Sequence, residues 1–292
     1  MPSFSWRFII NPEFWFSEKY TDSCGITFKV RSVLYTKESD FQRIDIIDTY
    51  DYGRVMLLDG LVMYTEKDEF VYHEMITCVP LFAHPNPKDI LVVGGGDGGT
   101  VRELGRHTYL NSITEVEIDE SVVVAAKEYT PFTGCGYDNE KVNLIIGDGI
   151  EFVKNKNNAY DIIIIDSTDP FGPAEGLFSG EFYSNVKNAL REDGIVVAQA
   201  ENPYYDPKWM MRSVNNMRKA FHNNVECYLA YIPTYPSGMW NFALGYKGKK
   251  ASESFDIKRY KNLNLHFRYY NKNIHRACFA LPEFMKEIMQ TI

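Results

Sequence analysis

"LVVGGGDGGTVREL", residues 91–104, runs from an aliphatic triplet into six residues of which five are glycine and one is Asp97. The triplet reads as the end of a buried strand and the segment after the glycines as the start of a helix. Gly94, Gly96 and Gly99 satisfy the spacing GxGxxG. Small residues at such a turn let a ligand approach the backbone at a helix N-terminus. The spacing alone is weak evidence. The carboxylate sharpens it, because Asp97 would repel a pyrophosphate placed close to this loop.

Working outward, strand and helix alternate. "DILVVGG", "SITEVEID", "KVNLIIGD", "YDIIIIDSTDP" and "GIVVAQAEN" read as strands. "GTVRELGRH", "ESVVVAAKEY", "GIEFVKN", "EFYSNVKNAL" and "PKWMMRSVNNMRKAF" read as the helices between and after them. Two late strands follow, "VECYLAYIP" and "NFALGYKG", and the tail from Arg268 reads as a loop and a short helix. Unbroken aliphatic runs such as "DIIIID" require cover on both faces, as in a parallel sheet with helices on each side. Upstream, residues 26–65 alternate apolar with polar between turns such as "YDYG" and "LDG", the pattern of antiparallel strands. At Glu66 the period changes, with Phe70, Met75, Val79 and Phe82 at helical spacing. The expected fold is therefore α/β: a doubly wound sheet over residues 66–292, preceded by a small antiparallel β domain over residues 1–65.

Composition narrows the function. The chain has 292 residues and a net charge of -8, which argues against nucleic acid or an anionic membrane as partner. Its five cysteines form no CxxC pair, which points to a reducing, cytoplasmic location rather than a disulfide framework or a zinc site. No stretch is long and apolar enough to span a membrane, and "MPSFSWRFIINPEFWF" lacks the pattern of a signal peptide.

In an open α/β sheet, ligands bind beyond the C-terminal strand ends. There the sequence places Gly94, Gly95 and Asp97, then Glu117, then Asp148 and Gly149, then Asp166, Ser167, Thr168 and Asp169, and finally Gln199 and Glu201. An acid in the position of Glu117 accepts ribose hydroxyls, which suits a dinucleotide and an adenosyl sulfonium equally. Asp97 favours a ligand with an adenosine, a sulfonium and an amine tail but no carboxylate. Asp148 reads either as an adenine acceptor or as a helix N-cap. Asp166 and Asp169, in the tight "DSTDP" loop, suit an amine, one of them acting as a base.

Taken together, "GRVMLLDG", "TEKDEFVYHEM", "VVGGGDGG", "VEID", "DSTDPFGPAEGLF", "IPTYPSG" and "YYNKNIHRACFALP" resemble the spermidine synthase (polyamine aminopropyltransferase) family over nearly the whole chain. The resemblance implies a Rossmann-like, methyltransferase-type sheet and transfer of an aminopropyl group from decarboxylated S-adenosylmethionine, a co-substrate rather than a tightly bound cofactor, to putrescine. It implies no metal. Gln42, Gly94, Gly95, Asp97, Glu117, Asp148, Gly149 and Pro173 would surround the donor. Tyr72, His73, Asp97, Asp166, Ser167, Thr168, Asp169 and Tyr235 would surround the polyamine, and Asp166 would accept the proton. Met63 and His73 would shape the acceptor pocket. Glu201, or an acid between Met1 and Asp22, would hold the far ammonium. A homodimer or homotetramer is implied as well. The alternatives are a putrescine N-methyltransferase, which Asp97 disfavours, a transferase using cadaverine or agmatine, an NAD-dependent dehydrogenase, and a non-catalytic polyamine binder.

Overall fold

The computed structural model describes residues 13–168 and 172–290. The chain begins with an antiparallel five-stranded sheet in sequential order: β1 (Phe14–Thr21), β2 (Cys24–Glu38), β3 (Arg43–Thr49), β4 (Arg54–Leu58) and β5 (Leu61–Thr65). The β4–β5 hairpin turns through Asp59 and Gly60, at φ 51° and 79°, the two positive values that a tight primed turn demands. Pleat alternation sends Ile44, Ile46, Met56, Leu58 and Tyr64 to one face and Phe28, Ile47, Val55, Leu57 and Val62 to the other. The first set packs on Val122, Ala125 and Ala126 of a helix of the second sheet. The sequence reading starts its strands at residue 26 and so omits β1. This is an edge strand in register with β2 (Phe16 opposite Phe28), and it buries little of either face, which leaves a weak alternation to read.

The second sheet has seven strands: β6 (Asp89–Gly94), β7 (Ser112–Glu117), β8 (Val142–Ile146), β9 (Tyr160–Asp166), β10 (Leu190–Gln199), β11 (Val225–Tyr231) and β12 (Met239–Tyr246). Their spatial order is β11-β12-β10-β9-β6-β7-β8. β6 to β10 are mutually parallel, and β12 runs antiparallel to both neighbours. The chain enters at β6, winds outward to β8, then returns to β9 on the other side of β6. The switch point therefore lies between β6 and β9, where ligands collect in such sheets.

Helices α1 (Glu69–Ala83), α2 (Gly99–Gly105), α3 (Glu120–Tyr129), α4 (Pro131–Gly134), α5 (Gly149–Lys154), α6 (Gly180–Ala189) and α7 (Pro207–Phe221) surround the sheet. Alternate side chains of each central strand enter different cores. Ile162 and Ile164 of β9 join α1, whereas Ile163 and Ile165 join α6 and α7. That two-sided burial is the reason for the continuous aliphatic run. Ile164 is fully buried, so Ile164→Ala is expected to cost about 2–5 kcal/mol, read as a lower denaturant midpoint at unchanged slope.

The tail departs from the sequence reading. From Arg268 it contains two helices, α9 (Lys272–Ala277) and α10 (Glu283–Gln290), instead of a loop and one short helix, and a further helix, α8 (Ile257–Leu263), precedes it in a segment to which the sequence reading assigned no element. Asp256 caps α8 by accepting from Lys258 and Arg259 amides, and Asn271 caps α9 in the same way. Tyr260, Phe267 and Tyr270 close around the Phe82 ring, so tertiary packing supports helices too short to stand alone. Among the described residues no helix is long and apolar enough to cross a membrane.

Candidate active site

A cavity of about 250 Å³ opens at the switch point. Gln42, Met63, Tyr72, His73, Gly94, Gly95, Asp97, Glu117, Asp148, Gly149, Asp166, Ser167, Thr168 and Tyr235 all line it. Asp169 lies outside the described residues. Pro173 falls in the helical turn Gly172–Phe178, and its side chain is not among those described.

The glycine turn makes the cavity possible. Gly94 and Gly95 both sit at φ 81°, a region that side chains disfavour. A Cβ on Gly94 would lie 2.3 Å from the backbone oxygen of Asp166, and one on Gly96 would lie 2.9 Å from Glu117. The turn thus threads between the tips of β9 and β7. Asp97 Oδ1 accepts from the Gly99 amide at 2.7 Å and lies 3.3 Å from His73 Nε2. The carboxylate in the glycine loop is therefore held from two sides at the cavity wall.

On the β7 side, Glu117 accepts from the amides of Gly96 (3.1 Å) and Asp119 (2.8 Å). Burial outweighs those bonds and pushes its carboxyl up to about 7. Gln42 reaches across from the N-terminal sheet and donates to Asp119 Oδ2 at 3.1 Å, beside Ser39 at 2.6 Å. Asp148 caps α5 through the amides of Ile150 (2.7 Å) and Glu151 (3.4 Å), as the N-cap reading expects, and it also lines the cavity. A Cβ on Gly149 would meet Val93 at 2.4 Å.

On the β9 side, Asp166 accepts from Tyr72 and from Thr100, each at 2.6 Å. Its carboxyl is raised above the usual range by burial first and then by the nearby Asp97 charge, with His73 opposing. Tyr235 donates to the Met63 carbonyl, and its ring lies 6.1 Å from that of Tyr72. Gln199 donates to the carbonyls of Ser167 and Thr168, both at 3.3 Å. A second cavity of about 80 Å³ shares Met63, Tyr72, Ser167, Thr168 and Tyr235 with the first and adds Glu18, Glu201 and Asp206.

His73 lines the cavity from below and is itself buried. Burial lowers its basicity, but Asp97 and Glu69 outweigh it and push the imidazole up to about 10. Sequence reasoning missed Glu69, Arg102 and Thr100. Glu69 stands one helical turn before His73, an i,i+4 spacing visible in the sequence. Arg102 lies 33 residues further on and carries no local signal.

A nucleoside-sized cavity at the switch point of a doubly wound sheet, with acids at the ends of four parallel strands, is the arrangement of an enzyme site suited to a cationic small molecule. Comparison with known proteins narrows this. Residues 69–256 match the model of the spermine/spermidine synthase domain, and residues 14–66 match the spermidine synthase tetramerisation domain. The chain belongs to the spermine/spermidine synthase family. It is 48% identical to a polyamine aminopropyltransferase of Clostridium botulinum, covering 95% of this chain and 98% of that one. Identity to the Clostridium perfringens polyamine aminopropyltransferase is 47%, over 96% and 99% of the two chains. A crystal structure of spermidine synthase in complex with the transition state analogue AdoDATO superposes with a TM-score of 0.92 at 42% identity, covering 96% of each chain. The spermidine synthase of Thermotoga maritima superposes with a TM-score of 0.89 at 41% identity, over 96% and 95% of the chains.

Proposed function

We propose that the chain transfers the aminopropyl group of decarboxylated S-adenosylmethionine to putrescine, giving spermidine and methylthioadenosine. The observation that carries this reading is the pair Asp97 and Asp166 on one cavity, with Glu117 and Asp148 lining the same space. Glu117 takes the ribose hydroxyls, Asp148 and Gly149 take the adenine, and Gln42 closes the nucleoside side. Asp97 holds the aminopropyl ammonium. The acceptor threads between Tyr72 and Tyr235, with its far ammonium toward Glu18 and Glu201 in the adjoining cavity.

Putrescine arrives as an ammonium, since aliphatic amines of this type have pKa values of about 10. Asp166 receives it, and its raised basicity suits it to take one proton. The freed nitrogen attacks the propyl carbon next to sulfur. The new C–N bond forms as the C–S bond breaks, and the electron pair stays on sulfur, which becomes neutral. Positioning supplies much of the remaining acceleration, because the sulfonium is already a good leaving group. The family description, together with Phe14 and Trp15 exposed on the edge strand, supports a homo-oligomer joined through the N-terminal sheet.

Incubation with decarboxylated S-adenosylmethionine and a panel of amines, followed by mass spectrometry, tests the reading. Spermidine from putrescine is the expected product. Methylputrescine from ordinary S-adenosylmethionine, with no aminopropyl product, would establish the N-methyltransferase instead.

The pH dependence of nucleoside binding gives a separate check on Glu117. Its folded-state pKa is raised, so its contribution to stability is complete below the ordinary value of 4.5 and is lost as pH rises through about 7. Ribose hydroxyls donate to the ionised form, so binding has the opposite sign. Affinity for methylthioadenosine is expected to fall as pH drops below about 7, by up to roughly tenfold per pH unit for one linked proton. Calorimetric titrations across that range would show it, and a flat profile would remove Glu117 from the ribose.

A further inference from the structure

Behind Asp97, the floor of the cavity contains a chain of alternating charges, Arg102, Glu69 and His73, that the reaction scheme does not use. Arg102, on α2, donates from Nη1 to Glu69 Oε1 at 3.0 Å and from Nη2 to Glu69 Oε2 at 2.8 Å. It also bonds the Phe132 carbonyl (2.7 Å) and Glu103 (3.0 Å), so its own position is fixed. Glu69 Oε2 in turn accepts from His73 Nδ1 at 2.6 Å, and the other ring nitrogen faces Asp97 at 3.3 Å. The side chains of Glu69 and His73 are 6% and 2% exposed, so solvent supplies none of these partners.

Packing locks the same ring. A Cβ on Gly99 would fall 2.2 Å from His73 Cε1, so the imidazole lies against bare backbone at the start of α2. The rings of Tyr72 and Tyr64 flank it edge-on, with centroids at 5.5 Å and 6.2 Å. With both ring nitrogens facing carboxylates, the imidazole is a cation that donates in both directions. On Asp97 the His73 contact and the Gly99 amide both fall on Oδ1, which reserves Oδ2 for a ligand.

We propose that Glu69, gripped by Arg102, is a positioning residue for the aminopropyl end of the donor site: through His73 it fixes the Asp97 carboxylate against the cavity. The inference rests on the functional reading given above. Glu69 touches no substrate atom in this scheme. It sets the aim of the carboxylate that holds the donor's ammonium, as groups behind a ligating side chain do elsewhere.

Methylthioadenosine lacks the aminopropyl amine, so the two nucleosides separate aim from general integrity. Kd values for decarboxylated S-adenosylmethionine and for methylthioadenosine are measured on the full chain without acceptor. In Glu69→Gln the preference for the decarboxylated donor is expected to fall about tenfold or more, the size of one charge-assisted hydrogen bond, with methylthioadenosine affinity unchanged. Arg102→Lys keeps the charge but not the two-pronged grip, and is expected to lose roughly threefold of the same preference. It also carries the test should Glu69→Gln fail to fold. If both nucleosides weaken together, or neither does, Glu69 is merely structural and the proposal falls. If the wild-type chain itself shows no preference for the decarboxylated donor, the functional reading fails instead.

Discussion

Asp166→Asn is expected to lower kcat by roughly 10²–10⁴-fold, the usual contribution of a positioned general base, while leaving methylthioadenosine affinity within a few-fold. The amide fills the same volume between Tyr72 and Thr100 and still offers one oxygen to their hydroxyls. It cannot take a proton from an incoming ammonium. The wild-type rate should also rise with pH along a limb above the usual carboxylate range, since burial and Asp97 raise the Asp166 carboxyl. That limb should vanish from the residual activity of the variant.

Stability moves the other way. A raised folded-state pKa means that the Asp166 contribution is complete below the ordinary value of 3.8 and is lost as pH rises through its folded value. The ionised form opposes folding, so the neutral amide is expected to leave the protein at least as stable. Single-turnover assays by mass spectrometry and urea titrations at neutral pH measure the two effects. Turnover within tenfold of wild type would strip Asp166 of its role as base.

Gly94→Ala tests the backbone with a single methyl group. The position has φ 81°, and the added carbon would lie 2.3 Å from the Asp166 carbonyl oxygen. Gly94 pairs with Asp166 across the β6–β9 ladder, so relief requires the two central strands to part at the site. A left-handed conformation costs about 1–3 kcal/mol for a residue with a side chain, and the clash adds to that. The expected result is a loss of stability of more than about 2 kcal/mol, with kcat/KM down at least 100-fold in whatever folds, because a misplacement of about 1 Å has that effect on a reacting pair. Gly147→Ala is the matching control. A methyl group added at that glycine would have no atom within 4 Å, and the position has no positive φ, so its substitution is expected to be near neutral.

The central sheet was legible because physics leaves a local trace of it. Residues buried on both faces must all be apolar, and the run Ile162–Ile165 reports two cores at once. The glycine turn was legible for a similar reason, since few residues tolerate its backbone. Asp97, Glu117, Asp148 and Asp166 could be collected in advance because strand ends meet at the switch point. What escaped depends on distance in sequence. Arg102 meets Glu69 only once α2 packs on α1, and neither residue looks unusual alone. Helices α8 and α9 are short and draw support from the aromatic cluster around Phe82 and Tyr270, so their helical period is faint even though Asp256 and Asn271 provide clear capping signals. Strand β1 lies half in solvent and so carries half a pattern.

Ser39 and Gln42 leave the N-terminal sheet to grasp Asp119, whose amide is itself bound to Glu117. Residues 13–65 are thus a wall of the cavity as well as a separate sheet. An engineer who trims that sheet to obtain a single-subunit catalyst would open the cavity in the same cut, so assembly and the enclosure of the site cannot be redesigned independently in this protein.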